Sequence, residues 1–442
     1  MRPSEAPPPL PSPVPSNGGE ERRAPRLPFI ARRFPPFSAR QWRVFGISTT
    51  AGFFDNYDTA LLSLALRQIQ RGLGIAEARL GATLSLIRMG YLMSLALSPL
   101  ADVFGRRQLL LYTIVGYTIF TGMSAVAPNT GGFVAAQFVA RAFSGAEATV
   151  SLVILAEEVD AAVRGWALGM QGALSVSGYG LAAIVFGMIR IIPFGWRGLY
   201  ALALFPLALI IPLRRILPES RRFERAHQTQ IMRPSVLAPL RALLGSYPRR
   251  LLSIFTVVFV GSMAGGAVGF FVPKYLQEVH YWSPARVSSL YVLGGALGII
   301  GNIAAGRISD RFGRRVIGPL FIAMEAVLAY QLYTIRTEAV VILWIGWLFC
   351  DQAGLTVTNA YSAELFPTAF RSAAAGALYV ARFGGGALGL LAEGMLYGVM
   401  GSHWAAIRTL ALCWLFAATL MYLLFPETAR RELEEIAPPA LA

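Results

Sequence analysis

Apolar runs long enough to cross a membrane recur along this chain from Val44 almost to its end. A helix rises 1.5 Å per residue, so a hydrocarbon core of about 30 Å needs about 20 apolar residues. Twelve stretches of 18 or more residues meet that need. The first lies near Val44–Leu66, the sixth near Trp196–Leu213, the seventh near Leu251–Pro273 and the last near Trp404–Phe425. The pattern predicts an all-α membrane protein with twelve transmembrane helices.

The polar exceptions inside these runs carry the next information. "GFFDNYDTALLS", beginning at Gly52, places Asp55 and Asp58 in the first span. Residues three apart share a helix face, so both acids look the same way. Each charge costs about 2.5–3.5 kcal/mol at the bilayer centre on insertion scales, so a partner or a task is expected for them.

Composition agrees with a membrane chain: 55% of residues are hydrophobic and 14% charged, against about a quarter charged in soluble domains. The formal net charge of +15 raises the question of nucleic acid, and its distribution answers it. Basic residues crowd the N-terminal tail, the Arg214–Arg250 segment and alternate loops, at Arg106, Arg107, Arg164, Arg314, Arg315, Arg371, Arg430 and Arg431. That is the positive-inside pattern. It predicts cytoplasmic termini and no nucleic-acid partner; only the loop with Arg67, Arg71 and Arg79 runs against it. Nearly all of the positive charge is Arg, with Lys274 the single lysine, a bias that fits a GC-rich bacterial genome, and the expected location is the bacterial inner membrane. Cys350 and Cys413 fall in separate spans, so no disulfide framework is expected. No cluster has metal-ligand or nucleophile spacing, and no glycine loop with a lysine cradles phosphate, so neither an enzyme nor a cofactor is expected.

Residues 1–40, rich in Pro, Ser and Arg and without an apolar leader core, read as a disordered cytoplasmic tail. A six-helix bundle over 41–213, a cytoplasmic linker over 214–250, a second bundle over 251–425 and a tail over 426–442 follow. The halves are related by a repeat. "SPLADVFGRR" at Ser98 and "GRISDRFGRR" at Gly306 set Asp102 and Asp310 208 residues apart. "AEEVDAAVRG" and "AELFPTAFRS" set Glu157 with Arg164 and Glu364 with Arg371 at an offset of 207. Two motifs with one offset predict parallel, pseudo-symmetric six-helix bundles.

At these residues the chain resembles the major facilitator superfamily. Gly306, Asp310, Arg311, Gly313, Arg314 and Arg315 complete that family's loop motif, while the first copy keeps Asp102, Gly105, Arg106 and Arg107 but has Ser98 and Val103 where Gly and a basic residue stand. The resemblance implies transport by alternating access, with Asp102, Arg106, Arg107, Glu157, Arg164, Asp310, Arg311, Arg314, Arg315, Glu364 and Arg371 gating one face. "LPESRRFE" at Leu217 and "FPETARRELEEI" at Phe425 are similar to segments of the sugar porters and of neighbouring organic-acid symporters. "DNYD" is similar to the "DGYD" of aromatic-acid/proton symporters, whereas sugar porters lack the first aspartate. Span seven, "SIFTVVFVGSMAGGAVGFF", has no Gln or Asn for a sugar.

The resemblance sets Arg141 as the partner of Asp58, and Tyr179 where a span-five glutamine would fall, with Gln171 shifted from it. Arg382, inside span eleven, is a candidate for holding a carboxylate; its alternative is a helix-end side chain reaching for the interface. Asp351 and Asn359 in span ten complete the candidate substrate residues. Proton coupling is expected at Asp58, Asp55 and Arg141, the alternative being a permanent Asp58–Arg141 brace. The expected activity is proton symport of a small organic acid, with an aromatic acid as one candidate, by a monomer whose partners are its substrate, protons and the bilayer. An uncoupled or sugar-like facilitator, a proton-antiport exporter and a non-transporting sensor are the alternatives.

Overall fold

The computed structural model describes residue 35 and residues 37–205, 237–367 and 370–430, and among these the regular structure is entirely helical. The expected 1–40 tail up to residue 34, residues 214–236 of the expected linker and residues 431–442 lie outside the described residues.

The first half holds α1 (Ala39–Leu64), α2 (Leu66–Leu73), α3 (Glu77–Leu97), the short α4 (Ala101–Phe104), α5 (Arg106–Ala125), α6 (Thr130–Glu158), α7 (Ala161–Gly187) and α8 (Trp196–Leu202). The second holds α9 (Leu237–Ser246), α10 (Pro248–Glu278), α11 (Pro284–Phe312), α12 (Arg314–Leu332), α13 (Val340–Glu364), α14 (Arg371–Met400) and α15 (His403–Leu424). Eleven of these have 19 residues or more, and α8 opens the sixth predicted span, which lies outside the described residues from position 206 on. Eight are long and apolar enough to cross a membrane on length and composition. Of the other three long helices, α1 carries Asp55 and Asp58 within it, α5 carries Arg106 and Arg107 at its start, and α11 carries Arg307, Asp310 and Arg311 near its end.

Local chemistry sets the helix ends. Ser38 opens α1 with a capping box, its hydroxyl accepting from the Gln41 N–H while the Gln41 side chain accepts from the Ser38 N–H. Gly105 and Gly313, equivalent positions of the repeated loop, both have φ 95°, a backbone state that disfavours any side chain. Each turns the chain sharply into the next long helix, and the identical angle is the repeat expressed in the backbone.

The α12 N-terminus carries a second device. The Glu427 carboxylate, just past α15, accepts from the backbone N–H of Arg314 and Arg315 at 2.9 and 3.1 Å. It also accepts from Thr428 and Ala429 at 2.9 and 2.8 Å. Burial pushes this carboxyl up, but the four donors outweigh burial and hold it below the usual carboxylate range. An anion at a helix N-terminus also meets the positive end of the helix dipole.

Two ends of the molecule can now be distinguished. The repeated loops, the start of α1 and the residues after α15 share one, the motif end. Residues 65–76, 279–283, 333–339 and 401–402 share the opposite, far end. The halves meet through α3 against α14, α7 against α11, and α1 with α2 against α10.

Candidate functional site

The first-span acids point at α6, as their spacing requires. Asp58 Oδ2 lies 2.8 Å from Arg141 Nη2, both side chains 2% exposed. The Arg141 N–H groups are aimed at a wider set: Thr59 Oγ1 at 2.8 Å and Gln137 Oε1 at 2.9 Å accept from it, and the Asp58 carbonyl at 3.4 Å. Tyr91 closes the group, its hydroxyl 3.0 Å from Thr59 Oγ1. One guanidinium thus binds α1 to α6 as both a charge and a hydrogen-bond hub. The contact joins a buried carboxylate to a buried guanidinium, so its strength depends on the Asp58 charge.

Asp55, one turn nearer the motif end, accepts a hydrogen bond from the Ser144 hydroxyl. Because α1 and α6 run antiparallel, Asp58–Arg141 and Asp55–Ser144 are successive rungs of one ladder. Glu147, fully buried with both oxygens unpartnered, lies within electrostatic reach of Asp55. Below it Ser151 Oγ donates to Ser48 O at 3.3 Å, and Gln171 Nε2 lies 3.5 Å from both Ser48 O and Ser151 Oγ. A polar seam therefore runs from the centre of the first half towards the motif end.

The second half holds a cavity of about 260 Å³, just below the about 300–1,000 Å³ of sites for drug-sized ligands, so it suits a small molecule. Arg382 and Asp351 line it, with Glu325 from α12, Trp414 from α15 and, reaching across from the first half, Arg88 from α3. The Asp351 and Glu325 carboxyls lie within electrostatic reach of each other. Neither Arg88 nor Arg382 has an ion-pair partner within 4.0 Å among the described residues; Arg382 Nη2 donates to Asn359 Oδ1 at 3.1 Å, and Arg88 Nε is buried without a partner. Aromatic rings gather beside them. Phe383 stacks on Tyr91 at 4.3 Å and meets Tyr379 at 4.4 Å, with the Arg88 guanidinium 5.8 Å from the Phe383 ring. Tyr179 lies within electrostatic reach of Arg88.

Of the five candidate substrate residues, Arg382 and Asp351 line the cavity, Asn359 hydrogen-bonds Arg382, Tyr179 lies near Arg88, and Gln171 belongs to the α1–α6–α7 seam. Arg88, Glu325 and Glu147 are not among the candidate residues that the sequence pointed to. A signal existed for the seam: Gln137, Arg141, Ser144 and Ser151 recur at helical spacing along one apolar helix. Arg88 and Glu325 gave no such signal, because only packing brings spans two and nine to one cavity.

At the motif end, the repeated residues pair inside each half. Arg106 meets Glu157, and its repeat-mate Arg314 meets Glu364, each across a part-buried contact. Arg314 also binds Asp310 at 2.9 Å, and Arg40 holds Glu158 through two bonds of 2.9 Å. Arg315 donates to Tyr422 O at 3.1 Å, Arg371 to Phe366 O at 3.4 Å, Arg164 Nε is buried without a partner, and Arg311 is exposed. Arg107 is half-buried there, and the Asp102 side chain lies outside the described residues.

Comparison with known proteins gives this architecture its relatives. A 4-hydroxybenzoate transporter, PcaK, of Pseudomonas aeruginosa is 25% identical over 91% of this chain and 95% of its own. A probable 4-methylmuconolactone transporter of Cupriavidus pinatubonensis is 24% identical over 90% of this chain and 94% of its own. Among solved structures, the inward-open xylose transporter XylE of E. coli superposes with a TM-score of 0.72 at 18% identity, covering 90% of this chain and 99% of that one. Residues 48–354 match the family Major Facilitator Superfamily. With eleven long helices and the start of a twelfth among the described residues, a repeat relating the two halves and that match over more than half its length, the chain belongs to the Major Facilitator Superfamily of membrane transporters.

Proposed function

We propose that this transporter carries a small organic anion inward together with protons, across a bacterial inner membrane with both termini cytoplasmic. The observation that carries the reading is the pair of arginines, Arg88 from one half and Arg382 from the other, that line one cavity without ion-pair partners among the described residues. Two cationic side chains at membrane depth are costly unless an anion neutralises them. A carboxylate supplies two oxygens that match the fork of a guanidinium, and the rings of Tyr91, Tyr379 and Phe383 offer an apolar wall for the rest of the molecule. Contacts from both halves also give such a ligand a means of favouring closure, because only the closed cavity satisfies both arginines. The relatives named for 4-hydroxybenzoate and 4-methylmuconolactone support a compact ring-bearing acid.

Proton coupling falls to the α1–α6 ladder. A proton on Asp58 turns its contact with Arg141 from a charge pair into a hydrogen bond and frees the guanidinium to reorient between α1, α6 and Tyr91. Asp55, Ser144 and Glu147 extend the same seam towards the motif end. The gating role proposed for the motif-end residues follows from their pairing: Arg106–Glu157 and Arg314–Glu364 stiffen each half as a body, leaving that end to part between the halves.

Uptake into proteoliposomes under an inward proton gradient tests this reading, with labelled benzoates, small carboxylates and a hexose offered separately. We expect an aromatic or small carboxylate to accumulate. Asp58→Asn is expected to abolish accumulation while sparing counterflow exchange, and Arg382→Gln to raise the half-saturation concentration at least tenfold, about 1.4 kcal/mol. Equilibration of a hexose alone, or full accumulation by Asp58→Asn, would overturn it.

A further inference from the structure

The far end holds a polar cluster that the transport reading leaves unused. We propose that Glu77, His403 and Glu393 form a proton-binding site that locks the far end shut, so that a proton from the solution bathing that end is taken up each time the halves close there. Glu77 begins α3 in the first half, while His403 and Glu393 belong to α15 and α14 in the second. His403 Nε2 lies 2.8 Å from Glu77 Oε2, and His403 Nδ1 is in contact with Glu393 Oε1. The imidazole is 5% exposed and Glu393 fully buried, whereas the Glu77 side chain is 43% exposed and open to water.

Proton counting carries the argument. Each contact between an imidazole nitrogen and a carboxyl oxygen is a hydrogen bond only if one proton lies in it. Both faces of His403 make such a contact, so the closed triad needs two protons. A neutral imidazole between two carboxylates supplies one. The assembled triad therefore holds one proton more than its separated parts, whether that proton sits on His403 or on a carboxyl.

The surrounding charges call for the same proton. Lys274, fully buried, binds Glu77 at 3.1 Å, Glu278 at 2.9 Å and Gln70 at 2.6 Å. Arg67 lies 3.9 Å from Glu278, with Arg71 beside it. Three carboxylates, Glu77, Glu278 and Glu393, thus share the two cations paired with them, Lys274 and Arg67, while Arg71 is exposed to water, and the extra proton cancels the charge left over within the cluster. Of the neutral groups, Tyr397 stacks on His403 at 4.2 Å, Phe271 lies 5.4 Å away, and Tyr333 is within electrostatic reach of Glu393.

The site exists only when the halves meet. Parting them at this end separates Glu77 from both His403 and Lys274, and the extra proton returns to the same solution. It gates the cycle without crossing the membrane, and it is distinct from a proton carried at Asp58. The proposal rests on the transporter fold and not on the identity of the substrate.

The test uses the full-length protein in nanodiscs with no substrate. Spin labels at Ala76→Cys and Thr337→Cys, both on exposed far-end positions of opposite halves, report the far-end distance in a background lacking Cys350 and Cys413. From about pH 5 to about pH 8 the closed-to-open ratio should fall with rising pH, by up to about tenfold per unit, the limit for one linked proton. His403→Gln should flatten that response. Glu77→Gln, on the wetter rim and least disruptive to folding, should flatten it too. A wild-type ratio that ignores pH overturns the proposal. So does a response that survives in both variants, or one that vanishes in Asp58→Asn while persisting in His403→Gln, which would place the proton at the centre instead.

Discussion

The two ends of this molecule use similar charged residues in opposite ways. At the far end several charged and polar contacts run between the halves, beside others such as Lys274–Glu278 within the second: Lys274 and His403 reach Glu77, Arg67 reaches Glu278, and the Gln68 side chain donates to Gln277 at 2.7 Å. At the motif end the described ion pairs stay within a half, Arg106 with Glu157 and Arg314 with Glu364. An ion pair across a moving interface stabilises one conformation only, whereas a pair inside one body is present in all of them and contributes no bias. Among the described residues the cross-half pairs therefore gather at the far end. In the proposed cycle the motif-end pairs stiffen each half and the far-end pairs select the state.

The largest expected effect comes from removing the cation that the far end shares. Lys274→Met leaves Glu77 and Glu278 facing each other without their ammonium. Breaking a buried pair on one side costs about 3–5 kcal/mol, and the partial exposure of the two acids puts this case at the lower end, about 3 kcal/mol. The loss falls on the state closed at the far end alone, so cysteine modification at far-end positions should accelerate strongly, while Glu364→Gln at the motif end should leave that rate near wild type. Equal rates in the two variants would erase the distinction between the ends.

A smaller effect is expected from packing. A Cβ on Gly81 would lie 2.6 Å from Glu393 Oε2 and 2.6 Å from the Gly394 backbone N. The backbone of α14 cannot yield cheaply, so Gly81→Ala should push α3 and α14 apart at the far end, at about 2 kcal/mol of overpacking. The same modification assay should show an intermediate acceleration. A wild-type rate would mean that the close approach is not needed for closure.

The smallest belongs to the motif end. The Glu427 carboxyl is held below its usual range when folded, so it favours the native state at neutral pH and that contribution fades as pH falls through its folded value, below about 4.3. Glu427→Gln keeps an acceptor but loses the charge at the α12 N-terminus, and water screening limits the loss to about 0.5–1 kcal/mol. Thermal unfolding should show a slightly lower Tm at neutral pH and a gap that closes under acid. A gap that widens under acid would contradict the assignment.

Legibility followed the range of each interaction. The repeat, the helix-end loops and the shared face of Asp55 and Asp58 are set by neighbours in sequence, and residues a few positions apart disclose them. The same holds for the twelve apolar runs, because bilayer thickness imposes a length on each helix independently. What the sequence by itself determined was thus a twelve-helix membrane transporter with a polar first span and two equivalent halves. Only the tertiary structure decided which polar groups meet. It gave Arg382 the company of Arg88 and Glu325, drew Gln171 into the seam behind Asp55, and set Lys274 against Glu77 from 197 residues away. Helix periodicity states which face a side chain occupies; which neighbour that face meets depends on how whole helices pack, and no local spacing carries that information.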